Sequence, residues 1–161
     1  MAPQQKVKTE KKIKRREKEQ NKEDERVKDE AMQVMGSFQL LPKLVVFDLD
    51  FTIWPFYCEC RSKREMPSLY PDVKGILYAL KDKGIDVAIA SRSSTPEIAK
   101  TILDKLGIQS MFVAQVNNMG AKSILVKNGI TQHAFRQGLM EFSQKYKASD
   151  KSGSSGKNKQ K

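Results

Sequence analysis

The chain has 161 residues, which suits one domain, with 39% hydrophobic residues and a formal net charge of +11. Its hydrophobic content is low for a chain folded throughout, so segments outside the core are expected. No apolar run approaches the ~18 residues of a membrane-spanning helix. The N-terminus also lacks the apolar stretch of a signal peptide and carries too many acids for a transit peptide.

The charge is unevenly placed. Residues 1–35 hold 11 basic and 8 acidic side chains, residues 36–144 hold 13 and 10, and residues 145–161 hold 6 and 1. Most of the basic excess therefore sits in the two tails. That speaks against a folded nucleic-acid surface and for weak, salt-sensitive attraction to polyanions. Cys58 and Cys60 are too close for an ordinary disulfide, and with His133 alone elsewhere they make no zinc set. Reduced thiols and a cytoplasmic or nuclear location are expected.

In chain order, residues 1–35 read as a charged arm, helical in solvent or disordered. Ile13 and Val27 are isolated apolar positions in it, and Lys11–Arg16 is a candidate nuclear-import run. Leu44–Phe47 reads as a buried parallel strand. Thr52–Pro71 is a long loop with Trp54, Pro55, Pro67 and Pro71. Asp72–Lys83 places Val73, Ile76, Leu77 and Leu80 on one helical face, with Gly84 as its stop. Ile85–Ala90 is a second strand.

Ser94-Thr95-Pro96-Glu97 reads as a capping box opening a helix to Leu106, stopped by Gly107. Met111–Ala114 is a third strand and Ser123–Val126 a fourth. Thr131–Lys145 is a final helix, and 147–161 is a flexible, disordered Lys/Ser/Gly tail. Strand–helix alternation of this kind means an α/β fold with a parallel sheet. The expected domain is 36–146.

Asp48 and Asp50 follow the first strand directly. The carboxyl ends of strands are where open α/β sheets bind ligands. Two like charges so close repel, so a cation, most simply a metal, is expected beside them. If strand geometry continues, both carboxylates face one side; a turn starting at Leu49 could still leave both near one pocket. Ser91 ends the neighbouring strand, which would bring its hydroxyl beside Asp48, and Arg92 adds positive charge. The set offers a nucleophile, a metal position, a second carboxylate for proton transfer and donors for a phosphate. That suits phosphoryl transfer through an aspartyl-phosphate. Asp-x-Asp alone is a common cap; the buried strand before it and Thr52 after it make it specific.

These stretches resemble the haloacid dehalogenase-like (HAD) phosphatases. Within them the chain is similar to the small, capless, magnesium-dependent group in its plant form. The likeness is carried by Pro42–Asp50, Thr52–Cys60, Ile89–Ser93, Met111–Ala114 and Ser123–Val126. It implies a Rossmann-like three-layer sandwich. It implies Asp48 as nucleophile and Mg²⁺ ligand, and Asp50 as acid/base that also serves the metal. Leu49, Ser91 and Arg92 would bind substrate. Phosphate monoesters, of the phosphotyrosine or sugar-phosphate class, would be the substrates of a monomer that has no membrane or specific nucleic-acid partner.

The chain departs from the family after Ala114. No Lys motif and no strand ending in an acidic pair follow; Glu141 and Asp150 are the only later acids. Only Gln115–Lys122 joins the third strand to the fourth, a reach of roughly 26–29 Å when extended, too short for a crossover helix. The expected fold is therefore truncated, lacking one central strand and its flanking helices. Lys122, at a strand start, lies at the wrong end of a parallel sheet to replace the missing Lys, and Lys43 and Arg136 are no better placed. The two functional readings are an impaired Mg-dependent phosphomonoesterase and a non-catalytic, truncated remnant that binds a partner.

Overall fold

A computed structural model describes residues 3–62, 64–91, 95–115, 126 and 129–152. The elements are α1 (Pro3–Gly36), β1 (Leu44–Phe47), α2 (Val73–Asp82), β2 (Asp86–Ile89), α3 (Pro96–Leu106), β3 (Ala114–Gln115) and α4 (Gln132–Ser152). Short 3₁₀ turns occupy Cys58–Cys60 and Gln109–Met111. The expected α/β class holds: the strands form one parallel sheet in the order β1-β2-β3. Leu44 pairs with Asp86 and Phe47 with Ile89, so β1 and β2 end side by side.

β2 is the central strand, and Val87, Ala88 and Ile89 are all buried. β1 corrects an expectation. Only Phe47 is buried, Val45 and Val46 are half-buried, and Leu44 is 39% exposed. Its apolar run reads as a fully enclosed strand, but among the described residues β1 pairs with β2 alone. β3 is also displaced from Met111–Ala114. Met111 closes a turn through its N–H to the Ile108 carbonyl, and Phe112 donates to Gln109, so bonding to β2 begins with the Val113 N–H, which donates to the Val87 carbonyl at 2.8 Å, and the paired strand is Ala114–Gln115.

The helices follow their periodicity. α2 buries Val73, Ile76, Leu77 and Leu80, and α3 buries Ala99, Ile102 and Leu103, with Gly107 in the left-handed conformation at its end. Of the capping box expected to open α3, Ser94 lies outside the described residues; Thr95 is the helix's N-cap, and Pro96 fixes the first turn. α4 runs on to Ser152, past the point where the flexible tail was expected to begin. Of the fourth strand, residues 123–125 lie outside the described residues, as do Lys122 and 153–161; Val126 is not in a strand.

The charged arm is a single helix of 34 residues, about 51 Å long. Residues 9–22 are exposed, and Ile13 is half exposed. Val27, by contrast, is fully buried together with Ala31 and Met35. These residues recur every four positions and make a narrow apolar stripe. The stripe lies on α2, which in turn packs on β2, while α4 packs on α1. The crossing is close because of Gly75: a Cβ there would lie 2.5 Å from Val27 Cγ1 and 2.7 Å from the Asp24 carbonyl. At the edge of this contact Lys28 Nζ meets Asp82 Oδ2 at 2.8 Å, and the Asp82 carboxylate raises the Lys28 pKa above its usual value.

Gly75→Val is therefore expected to push α1 off α2 and destabilise the protein by about 1–3 kcal/mol. Urea unfolding followed by far-UV circular dichroism measures this. An unchanged midpoint would contradict the close crossing.

Candidate functional site

Asp48 stands at the carboxyl end of β1, and its residue is exposed. Its Oδ1 accepts the Leu49 N–H at 2.8 Å. The chain turns at once rather than continuing as strand. The Leu49 carbonyl accepts the N–H groups of Thr52, Ile53 and Trp54 at 3.2, 2.8 and 3.3 Å. Of the two geometries open to the sequence, the turn starting at Leu49 is therefore the one formed. The Leu49 side chain is fully buried, which restricts any role for it in substrate contact to its backbone.

Asp50 is half-buried and faces its own loop. Its Oδ1 accepts the indole N–H of Trp54 at 2.7 Å and the Cys58 N–H at 3.1 Å. Both bonds go to a carboxylate, the stronger kind of neutral-donor hydrogen bond. They draw the loop inward: Ile53, Trp54 and Cys58 are fully buried and Phe56 nearly so, with Trp54 and Phe56 stacked at 5.6 Å. A loop that reads as surface therefore supplies part of the core. Two more backbone bonds hold it, from Tyr70 N–H to the Ile53 carbonyl at 3.1 Å and from Ile130 N–H to the Thr52 carbonyl at 2.9 Å. Trp54 and Cys58 are functional-site residues the sequence reading missed. The signal was available as Trp54 four residues after Asp50.

Ser91 follows β2. The Ala90 N–H donates to the Phe47 carbonyl at 2.9 Å, which keeps the residues after β2 alongside those after β1. The sheet thus brings Asp48, Asp50 and the Ser91 backbone to one end. Arg92 lies outside the described residues. Lys43, at the amino end of β1, is at the opposite end of the strand, and Arg136 is exposed on α4.

Among the described residues no group of three or more His, Cys, Asp or Glu side chains converges as a metal site. What the site does offer is all-oxygen: the outward Asp48 carboxylate, with Asp50 behind it. That donor set fits a hard cation such as Mg²⁺, which takes one or two carboxylates and completes its shell with waters and phosphate oxygens. It does not suit zinc or another soft metal.

Comparison with known proteins bears on the family. Residues 61–117 match the Acid Phosphatase family, a span that includes α2, β2, Ser91 and α3 but begins after Asp50. The chain is 35% identical over 97 residues to magnesium-dependent phosphatase 1 of Homo sapiens, covering 51% of this chain and 55% of that protein. It is 37% identical over 83 residues to a Saccharomyces cerevisiae protein whose name places it with the magnesium-dependent phosphatases, covering 38% and 46%. It is 32% identical over 84 residues to a HAD-like hydrolase superfamily protein of Schizosaccharomyces pombe, covering 42% and 49%. The chain spans about half the length of these curated relatives. The matches support the HAD-like phosphatase family that the motifs around Asp48 and Ser91 suggest.

Proposed function

We propose that the chain is a Mg²⁺-dependent phosphomonoesterase of reduced activity, working through an aspartyl-phosphate on Asp48. The observation that carries this reading is the exposed Asp48 carboxylate at the carboxyl end of β1, beside the end of β2 that leads into Ser91. The names of the relatives support the reaction class and the ion.

In the first step an Asp48 carboxylate oxygen attacks phosphorus and the ester P–O bond breaks. The departing alkoxide takes a proton from Asp50 and leaves as the alcohol. In the second step water attacks the aspartyl-phosphate, Asp50 takes a proton from that water, and inorganic phosphate leaves as the Asp48 carboxylate is restored. Among the described residues Asp50 is hydrogen-bonded through Oδ1, which leaves Oδ2 to carry the proton. The Ser91 hydroxyl and the Leu49 backbone would orient the phosphoryl oxygens, with Arg92 adding charge. Mg²⁺, held by Asp48 and the Asp50 backbone, would neutralise charge on the phosphoryl group.

The activity is expected to be low because the chain carries no Lys motif and no second acidic strand end after Ala114. Loss of one preorganised charge stabiliser typically costs about 10²–10³ in rate. Aryl and sugar phosphates are both within reach of an uncapped site. The plant-form likeness rests on Pro42–Asp50, Thr52–Cys60, Ile89–Ser93, Met111–Ala114 and Ser123–Val126 together, the domain is assigned to 36–146, and a cytoplasmic monomer is the simplest setting. A non-catalytic remnant that still binds phosphate esters is the second reading, favoured by the small acidic set at the site.

Two measurements test these assignments. The wild-type chain should hydrolyse p-nitrophenyl phosphate with Mg²⁺, and Asp48→Asn should fall to the uncatalysed rate; equal rates for the two proteins would rule out catalysis here. Trp54→Phe keeps a ring that can stack on Phe56, removes the indole N–H from Asp50 and shrinks a fully buried side chain. It should cost roughly 1.5–3 kcal/mol of stability in urea and lower kcat with little change in KM. A KM effect alone would mean that Trp54 serves binding and does not position Asp50.

A further inference from the structure

α1 is polarised along its length. Residues 9–22 hold seven basic and three acidic side chains, while residues 23–35, the half that packs on α2, hold two and five. All of 9–22 is exposed. Arg15 is paired with Glu19 at 2.8 Å. Lys11, Lys12, Lys14, Arg16, Lys18 and Lys22 form no ion pair among the described residues.

The helix sorts these cations into rows. Lys11, Arg15, Lys18 and Lys22 follow one another at spacings of four, three and four, so they line one face over about 17 Å. Lys12 and Arg16 make a shorter row about 100° round the helix. Glu10 and Glu17 sit on another face, so no acid interrupts the long row. Like charges four apart destabilise a helix, and Lys18 stands four from both Lys14 and Lys22. The excess of cations over acids in 9–22 leaves that repulsion for a polyanion to relieve.

The composition of 9–22 narrows the polyanion. Ile13 is its sole apolar residue, so the segment has no apolar face to lay into a bilayer and no anchor for a protein interface. It holds no aromatic ring on which the bases of a single strand could stack. A duplex backbone needs only cations. The major groove of B-form DNA admits an α-helix, with phosphates on both rims for two rows of cations, whereas that of an RNA duplex is too narrow.

We propose that residues 9–22 of α1 bind the phosphate backbone of double-stranded DNA, independently of base sequence. The binding is separate from the Asp48 site and does not depend on phosphatase activity. A basic excess that the sequence assigns to loose tails thus becomes, in α1, an ordered surface.

The test is fluorescence anisotropy of a labelled DNA duplex of about 20 base pairs, titrated with the full chain. Affinity should fall about 10²–10³-fold between about 50 and 200 mM salt, a log–log slope of roughly −4 to −5. The combined variant Lys11→Gln, Lys18→Gln, Lys22→Gln keeps good helix formers at exposed positions, so its thermal midpoint should stay at the wild-type value. Its affinity at low salt should drop at least about tenfold and its slope should shrink by about 3. The matched tail variant Lys157→Gln, Lys159→Gln, Lys161→Gln should keep most of the slope. No binding at low salt, an arm variant that binds like wild type, or a tail variant that loses as much would overturn the proposal. So would tighter binding to an RNA duplex, to a single strand or to phosphatidylserine vesicles than to the DNA duplex.

Discussion

The structure around the site depends on one carboxylate being satisfied. Asp50 is half-buried at the end of a strand, where an unpaired charge would be costly. Two donors from its own loop answer it, the Trp54 indole and the Cys58 amide. To deliver them the chain must turn at Leu49, bury Ile53 and Trp54, and bring Cys58 back over the strand end. Phe51 is left in the left-handed region as the hinge of that turn. The polar bonds and the apolar burial therefore support each other: neither the indole nor the amide could reach Asp50 if the loop lay out in solvent.

The same arrangement separates the two aspartates. Asp48 stays in water with its neighbour's amide as its partner among the described residues. Asp50 turns away into the loop. Repulsion between the two charges is on the order of 1 kcal/mol at contact distances in bulk water and larger near a protein surface, where Asp50 is half-buried. A cation beside the outward Asp48 would relieve it. The support behind the site comes from further off. α2 packs on β2, and α1 covers α2 through Val27, Ala31 and Met35.

Much of this was legible in the residues. Leu44–Phe47 and the strand ending before Ala90 are where the apolar runs place them, because β-rich runs bounded by polar residues have few alternatives. The 3.6-residue period of Val73–Leu80 and Ile98–Leu106 likewise fixes α2 and α3. The failures have two causes: tertiary contact in the first case, and short-range hydrogen bonds in the other two. Val27 looks isolated among Lys and Glu because the stripe it belongs to is one residue wide and includes an alanine; only Gly75 on another helix makes so thin a stripe sufficient. Met111–Ala114 has the composition of a strand, but bonds from Met111 to Ile108 and from Phe112 to Gln109 claim its backbone first. Trp54 reads as a loop residue until its N–H is seen to belong to Asp50.

These points change what a metal would have to do. Mg²⁺ dehydrates reluctantly and draws most of its ligands from water and substrate phosphate. A site with one outward carboxylate and no convergent group of three acids among the described residues gives it few reasons to stay alone. On the proposed reading, ion and phosphate ester would then bind together, each completing the other's shell. The affinity of such a site for its substrate would depend less on the metal ligands than on whatever holds the organic part of the ester.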